Sequence, residues 1–246
     1  METVFEQSFQ IEDNMVDRYG RLRPSQLLYI VQEMSGRHCS ELSLDYETLA
    51  SRRLFWAVSR HRAQITRMPD RGETIRVETW PMPTTRVAFP RSVVAYDRAG
   101  QELFRAISLW VLMDLDTRHM ILPGKSGITV AGTLRGNELA VPSGVISREL
   151  VQTRDRTVCF TDLDRNGHMN NTRYMDWMDD LFSSDFHAGR SLREMTICYN
   201  AEAVEGQRLH LRYGGTPEGC IQVEATRNGE ENPVRVFSAR LFYDVL

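Results

Sequence analysis

Asp164, Asn166 and His168 fall at every second position within Asp162-Leu-Asp-Arg-Asn-Gly-His-Met-Asn-Asn-Thr-Arg-Tyr-Met-Asp-Trp177. A carboxylate, an amide and an imidazole so placed can take up a proton, hold a water and donate hydrogen bonds to an oxygen gaining charge. Apolar residues at helical spacing follow. The cluster is therefore predicted at a helix start, where backbone N–H groups such as that of Gly167 favour developing negative charge. Glu202 is predicted to join it from a strand further on.

Taken singly, these residues have ordinary explanations. Asp, Asn and Thr ahead of a helix are common caps, and a lone His is more often structural than catalytic. An internal repeat weighs against that view. Asp17-Arg-Tyr-Gly20 matches Asp164-Arg-Asn-Gly167, and an apolar stripe follows each in the same register: Leu27, Ile30, Val31, Met34 and Tyr174, Trp177, Met178, Leu181. Both stripes follow i, i+3, i+4, i+7, the mark of a helix with one buried face. Ser25 and Thr172 are the predicted N-caps. The first copy keeps Asp17, Arg18 and Gly20 but has Tyr19, Arg21 and Arg23 where the second has Asn166, His168 and Asn170. A turn alone would not demand Asn and His in one copy only. One active site per chain follows, and Asp164 is the member whose role the comparison weakens.

Each helix must be buried by a sheet. Glu73–Thr79 and Gln207–Tyr213 alternate polar and apolar residues, each behind a glycine (Gly72, Gly206). Hairpin signals follow at Asp97-Arg-Ala-Gly100 and Arg227-Asn-Gly229, the second read as a type I′ turn. Ala106–Met113 and Val234–Tyr243 close the halves as long β-rich runs. The predicted class is α+β: two units, each a long helix wrapped by an antiparallel sheet, paired edge to edge as a pseudo-dimer. Their predicted bounds are 1–123 and 148–246, with a Gly-, Ser- and Val-rich linker at 124–147.

Bulk properties narrow the function. The chain has 246 residues and a formal net charge of −3, so no global field draws it to nucleic acid. No apolar run approaches the roughly 18 residues of a membrane span. The first residues are acidic and carry neither a signal core nor an Arg-rich transit pattern, so the cytoplasm is expected. Cys39, Cys159, Cys198 and Cys220 are too widely spaced for a zinc site and read as buried thiols. Asp176, Asp179 and Asp180 lie mostly off the apolar stripe and read as a solvated face, so neither metal nor cofactor is expected.

The pattern Asp-Leu-Asp-x-Asn-x-His-x-Asn-Asn-x-x-Tyr-x-x-Trp resembles the signature of acyl-ACP thioesterases, which have tandem hotdog folds. Tyr199-Asn-Ala-Glu-Ala203 likewise resembles that family's Tyr-Arg-Arg-Glu-Cys. The resemblance implies that Asp164, Asn166, His168 and Glu202 are catalytic. It also implies that the first half supplies most of an acyl-chain pocket, with Leu27, Ile30, Val31, Met34 and Trp80 as candidates that plain core packing explains equally well. Asn200 and Ala201 replace a basic pair, and Ala203 stands where plant enzymes often carry Cys, which removes a cysteine nucleophile at that position. The implied partner is acyl carrier protein bearing an acyl-phosphopantetheine, served by a monomer with an internal pseudo-dimer or by a homodimer, with no nucleic acid or membrane. An acyl-CoA thioesterase is the alternative, and a non-catalytic acyl-binding regulator a more distant one.

Overall fold

The computed structural model describes residues 4–136, 138–229 and 232–246. Contacts divide the chain into two compact units, Met1–Pro142 and Ser143–Leu246.

Unit 1 begins with β1 (Phe5–Gln10) and a short 3-10 turn, then forms α1 (Pro24–Glu41) and α2 (Tyr46–Ser51). Pro24 at the first helical position suits a helix start, because its missing N–H would have no partner there. The strands β2 (Leu54–Ile65), β3 (Thr74–Pro81), β4 (Phe89–Tyr96), β5 (Glu102–Asp114) and the short β6 (Met120–Ile121) follow. They pair antiparallel in the order β1-β3-β4-β5-β2, with β6 on β5. The α1 stripe is fully buried: Leu27, Ile30, Val31 and Met34 all show zero exposure.

Unit 2 repeats the plan with β7 (Gln152–Thr157), α3 (Arg173–Asp179), α4 (Ser184–Ala188), β8 (Arg190–Tyr199), β9 (Arg208–Gly215), β10 (Ile221–Arg227) and β11 (Val234–Val245). Its strands run antiparallel in the order β8-β11-β10-β9-β7. Tyr174 of α3 packs edge-on against Tyr199 of β8 and Phe237 of β11. Even irregularities recur. The β4–β5 register shifts at Ala95/Tyr96 and the β10–β11 register shifts at the matching Ala225/Thr226.

The Asp-Arg-x-Gly match is a turn with a local cause. In both copies the aspartate carbonyl accepts from the glycine N–H at 3.0 Å, and the carboxylate accepts from the residue two positions on at 2.8 Å. Asp97-Arg-Ala-Gly100 closes the β4–β5 hairpin with the same bonds. Each glycine sits near φ +80° (Gly20 81°, Gly100 80°, Gly167 78°), where other residues are strained. The motif therefore marks a turn wherever it occurs. The matching helices and ladders establish the repeat.

Several expectations are corrected. The second helix is short: α3 spans seven residues, and Leu181 lies beyond its end. The chain breaks there because Ser183 adopts extended backbone and its hydroxyl accepts from Phe186 N at 3.3 Å, starting α4. Ser25 is not a cap, and Thr172 stands at the N-cap position of α3 but does not cap it through its side chain. Ser25 lies inside α1 with its hydroxyl buried and unpartnered, and Thr172 has helical backbone with no side-chain capping bond. Asn170 does that work, its Oδ1 accepting from Thr172 N and Oγ1, both at 2.9 Å. Arg227 pairs with Val234, so residues 228–233 connect the strands and Asn228-Gly229 is not a two-residue turn; Glu230 and Glu231 lie outside the described residues. Cys159 is exposed, not buried, and all four cysteines are free. Asp176 and Asp180 pair with Arg173 and Arg156. Among the described residues, no helix is long and apolar enough to cross a membrane.

The segment 124–147 packs on unit 1 over part of its length. Ile128 joins Leu49, Leu54, Phe89 and Leu112 in one apolar cluster, and Leu139 joins Trp80, Met82, Val94 and Ile107 in another. Gly132 lies so close to the Met82 backbone that a Cβ would overlap it.

One core group makes a pH prediction. His61 is fully buried with Nδ1 2.8 Å from Ser108 Oγ, and burial pushes its pKa down to about 3 from 6.5. Between those values the unfolded chain binds the proton and the folded chain does not, so stability falls as pH drops from about 6.5 toward 3. The slope from this group alone is at most about 1.4 kcal/mol per pH unit. Chemical denaturation at pH 7 and pH 4.5 should show a smaller acid loss for His61→Met than for the parent. An equal loss would mean that His61 is not held neutral.

Candidate active site

The Asp164–His168 turn and its unit 1 counterpart share backbone bonding position by position. Asp164 N donates to His168 O as Asp17 N does to Arg21 O, both at 2.8 Å. The Asp164 carboxylate also receives His168 N at 3.4 Å, as that of Asp17 receives Arg21 N at 3.1 Å. Next along the chain, Met169 N donates to Ala203 O and Leu22 N to Pro69 O, again at 2.8 Å. This fixes a second correspondence. Glu202, immediately before Ala203, occupies the place that Met68 holds before Pro69, and the same offset aligns Gly206 with Gly72.

On this shared backbone the side chains differ. His168 Nε2 lies 3.2 Å from Glu202 Oε2 in unit 2. The equivalent residues in unit 1 are Arg21, bound to its own Asp17, and Met68, which is buried. Asn166, where unit 1 has Tyr19, is exposed on the turn and donates through Nδ2 to Asp164 Oδ2 at 3.5 Å. The His168 side chain is 17% exposed and that of Glu202 44%. An imidazole fixed on a carboxylate that still reaches solvent can orient that carboxylate to accept a proton from water.

Three sequence expectations change here. Glu202 lies in the loop between β8 and β9, not on a strand. The cluster precedes α3 by several residues, and the Gly167 N–H donates to the Asp164 carbonyl within the turn. The oxyanion-facing role expected of that N–H therefore falls away, because a turn this tight needs the bond itself. Asp164 makes its described hydrogen bonds within the turn, as Asp17 does, which suits positioning and not proton transfer.

Further bonds fix the loop that carries His168. Asp162 accepts from Cys159 N at 2.9 Å and from Trp177 Nε1 at 3.3 Å, tying the loop to α3. Tyr199 donates to Asn171 O at 3.0 Å. Burial, then the charges of Asp164, Glu202 and Asp162, push the Tyr174 hydroxyl well above its usual pKa of 10, so it stays protonated. These roles were hidden in the sequence because Asp162, Trp177 and Tyr199 read there only as pattern positions. Leu27, Ile30, Val31, Met34 and Trp80 are all in unit 1 and essentially fully buried; the Trp80 indole also donates to Glu138 at 3.3 Å.

The turn bonding predicts a paired result. Asp17→Ala and Asp164→Ala should each lower stability by about 1–2 kcal/mol in urea titrations, as loss of hydrogen bonds to a charged acceptor does. Only Asp164→Ala should also lower turnover. Equal turnover in both variants would remove Asp164 from the site.

Two helix-in-sheet units define a tandem hotdog protein, and its candidate active site is the group Asn166, His168 and Glu202 of the second unit, where the first has Tyr19, Arg21 and Met68. The Acyl-ACP thioesterase N-terminal domain model matches residues 2–122 and the C-terminal domain model matches residues 148–235. The chain belongs to the acyl-ACP thioesterase family. It is 27% identical over 219 residues to a chloroplastic acyl-[acyl-carrier-protein] hydrolase of Cuphea viscosissima, covering 80% of this chain and 52% of that protein. It is 26% identical over 216 residues to a chloroplastic palmitoyl-acyl carrier protein thioesterase of Gossypium hirsutum, covering 81% and 52%. The chain thus spans about half the length of these curated relatives. Among solved structures, an acyl-ACP thioesterase from Bacteroides thetaiotaomicron matches with a TM-score of 0.85 and 26% identity over 98% of both chains. The 12:0-ACP thioesterase of Umbellularia californica shares the fold, with a TM-score of 0.84, 20% identity and coverage of 100% and 99%.

Proposed function

We propose that this chain hydrolyses the thioester of acyl chains carried on the phosphopantetheine of acyl carrier protein, releasing free fatty acid and ending chain elongation. The observation that carries this reading is the His168–Glu202 pair, whose His168 follows Asn166 on the same turn, built on a backbone whose copy in unit 1 has none of the three. Family membership supplies the substrate class.

In this mechanism His168 Nε2–H donates to Glu202 and fixes its carboxylate. Glu202 takes a proton from water as the water oxygen bonds to the thioester carbonyl carbon, and the carbonyl π pair moves onto oxygen. The Asn166 amide donates to that oxyanion; loss of one such donor typically costs about 10²- to 10³-fold. Asp164 holds Asn166 and the turn. When the oxyanion collapses the C–S bond breaks, and the thiolate takes the proton from Glu202. The products are a carboxylic acid and the phosphopantetheine thiol. No metal or cofactor enters this scheme. Leu27, Ile30, Val31, Met34 and Trp80 of unit 1 are proposed to border the acyl chain. The four free thiols suit a reducing cytoplasm.

The test is turnover of an acyl-ACP panel from short to long chains, beside the matched acyl-CoA esters. We expect kcat/KM on the preferred acyl-ACP to exceed that on its CoA ester by at least about tenfold, the equivalent of 1.4 kcal/mol. Equal or better turnover of the CoA ester would reassign the carrier. No hydrolysis of either would refute the reading.

A further inference from the structure

Unit 1 carries polar groups in its interior that the reaction does not use. Arg91 of β4 is 4% exposed, and it takes part in no ion pair among the described residues. Its described partners are His38 Nδ1 at 2.9 Å, Thr79 Oγ1 at 3.3 Å and, weakly, Cys39 Sγ at 3.9 Å. None supplies a negative charge. A nitrogen that accepts from a guanidinium must present a lone pair, and burial keeps the Cys39 thiol above its usual pKa despite Arg91. The nearby end of α1 offers only about half a unit of partial charge. A buried guanidinium without a full counter-charge is costly.

The repeat shows that the fold does not call for this polarity. Arg91 pairs with Ser108 of β5, and Ser108 pairs with His61 of β2, so the three form one row across the sheet. The matching ladders of unit 2 place Ile221, Leu241 and Met195 in that row. Ser108 and His61 are as buried as Leu241 and Met195. One copy fills the row with hydrocarbon and the other with a cation, a hydroxyl and an imidazole. The same contrast that marks the site of unit 2 marks this row in unit 1.

We propose that Arg91 forms a buried anion-binding position in unit 1 that takes the carboxylate of an aliphatic chain. The choice of an aliphatic carboxylate rests on the thioesterase reading. The position itself rests on the uncompensated guanidinium. Two sources share this chemistry: the carboxylate of a released fatty acid, and a carboxylate at the far end of an acyl substrate.

Binding measured without turnover tests the position separately from the reaction. Titration calorimetry of the full chain with dodecanoate and with methyl dodecanoate should show at least tenfold tighter binding of the acid. Arg91→Met should abolish that preference, while Arg91→Lys, which keeps a cation, should restore part of it. If Arg91→Met does not fold, the parent's ligand pair and Arg91→Lys still decide. Equal affinity for the two ligands in the parent, or the same preference in folded Arg91→Met, would overturn the proposal. The ratio of kcat/KM for 11-carboxyundecanoyl-ACP to that for dodecanoyl-ACP then identifies the source. A ratio above one that falls in Arg91→Met assigns the position to substrate, and a ratio at or below one assigns it to the released acid. A chain inactive on every thioester but still selective for dodecanoate would refute the hydrolase reading and leave the anion position standing.

Discussion

Glu202→Gln should lower kcat on acyl-ACP by about 10²- to 10⁴-fold, the range a positioned general base supplies. The amide keeps the size of the side chain and can still meet His168, but it cannot take a proton from water. Glu202 is about half exposed and sits in a loop, so the variant should unfold within a few degrees of the parent. KM should change little, because the lost interaction develops only as the water is deprotonated. Single-turnover rates beside a thermal melt check both points. A variant with near-normal kcat would move the base elsewhere, and His168 would be the next group to test.

The second expectation concerns coupling. His168→Ala alone should cost at least about 10²-fold in kcat, since it frees the carboxylate that His168 Nε2 meets at 3.2 Å. Combined with Glu202→Gln, it should add little. Once the base is gone, nothing remains for the imidazole to orient, and residues that act as a unit are strongly non-additive. The double variant should therefore fall within about tenfold of the slower single variant. Losses that multiply would show that His168 acts independently, for example on the carbonyl oxygen. The cycle thus separates a positioning imidazole from a second proton-transfer group.

Much of the site was legible because the chain carries its own control. Asn166 and His168 stand out against Tyr19 and Arg21 at a fixed offset, and the bonding of the two turns shows that this offset is structural. The long α1 was legible from its stripe. Other elements were not. β7 reads Gln-Thr-Arg-Asp-Arg-Thr and is polar at every position, since as an edge strand it is exposed almost throughout, so no alternation announces it. The stripe through Leu181 predicted one helix where Ser183 makes two, because periodicity reports burial and misses a local serine cap. The Asp97 turn reads as a hairpin and is one, and it shows that Asp-Arg-x-Gly recurs for purely local reasons.

By itself the sequence determined the repeated two-unit plan and singled out one candidate cluster with three of its proposed members, because periodicity and a repeat are properties of the chain read along its length. Tertiary structure decided that Glu202 meets His168 from a loop, that Met68 is its silent counterpart, and that Gly167 N–H belongs to the turn. It also brought Arg91, Ser108 and His61 into one buried row. Those facts depend on which strands pair and in what register. Register is set by packing among residues far apart in the chain, and no local pattern records it.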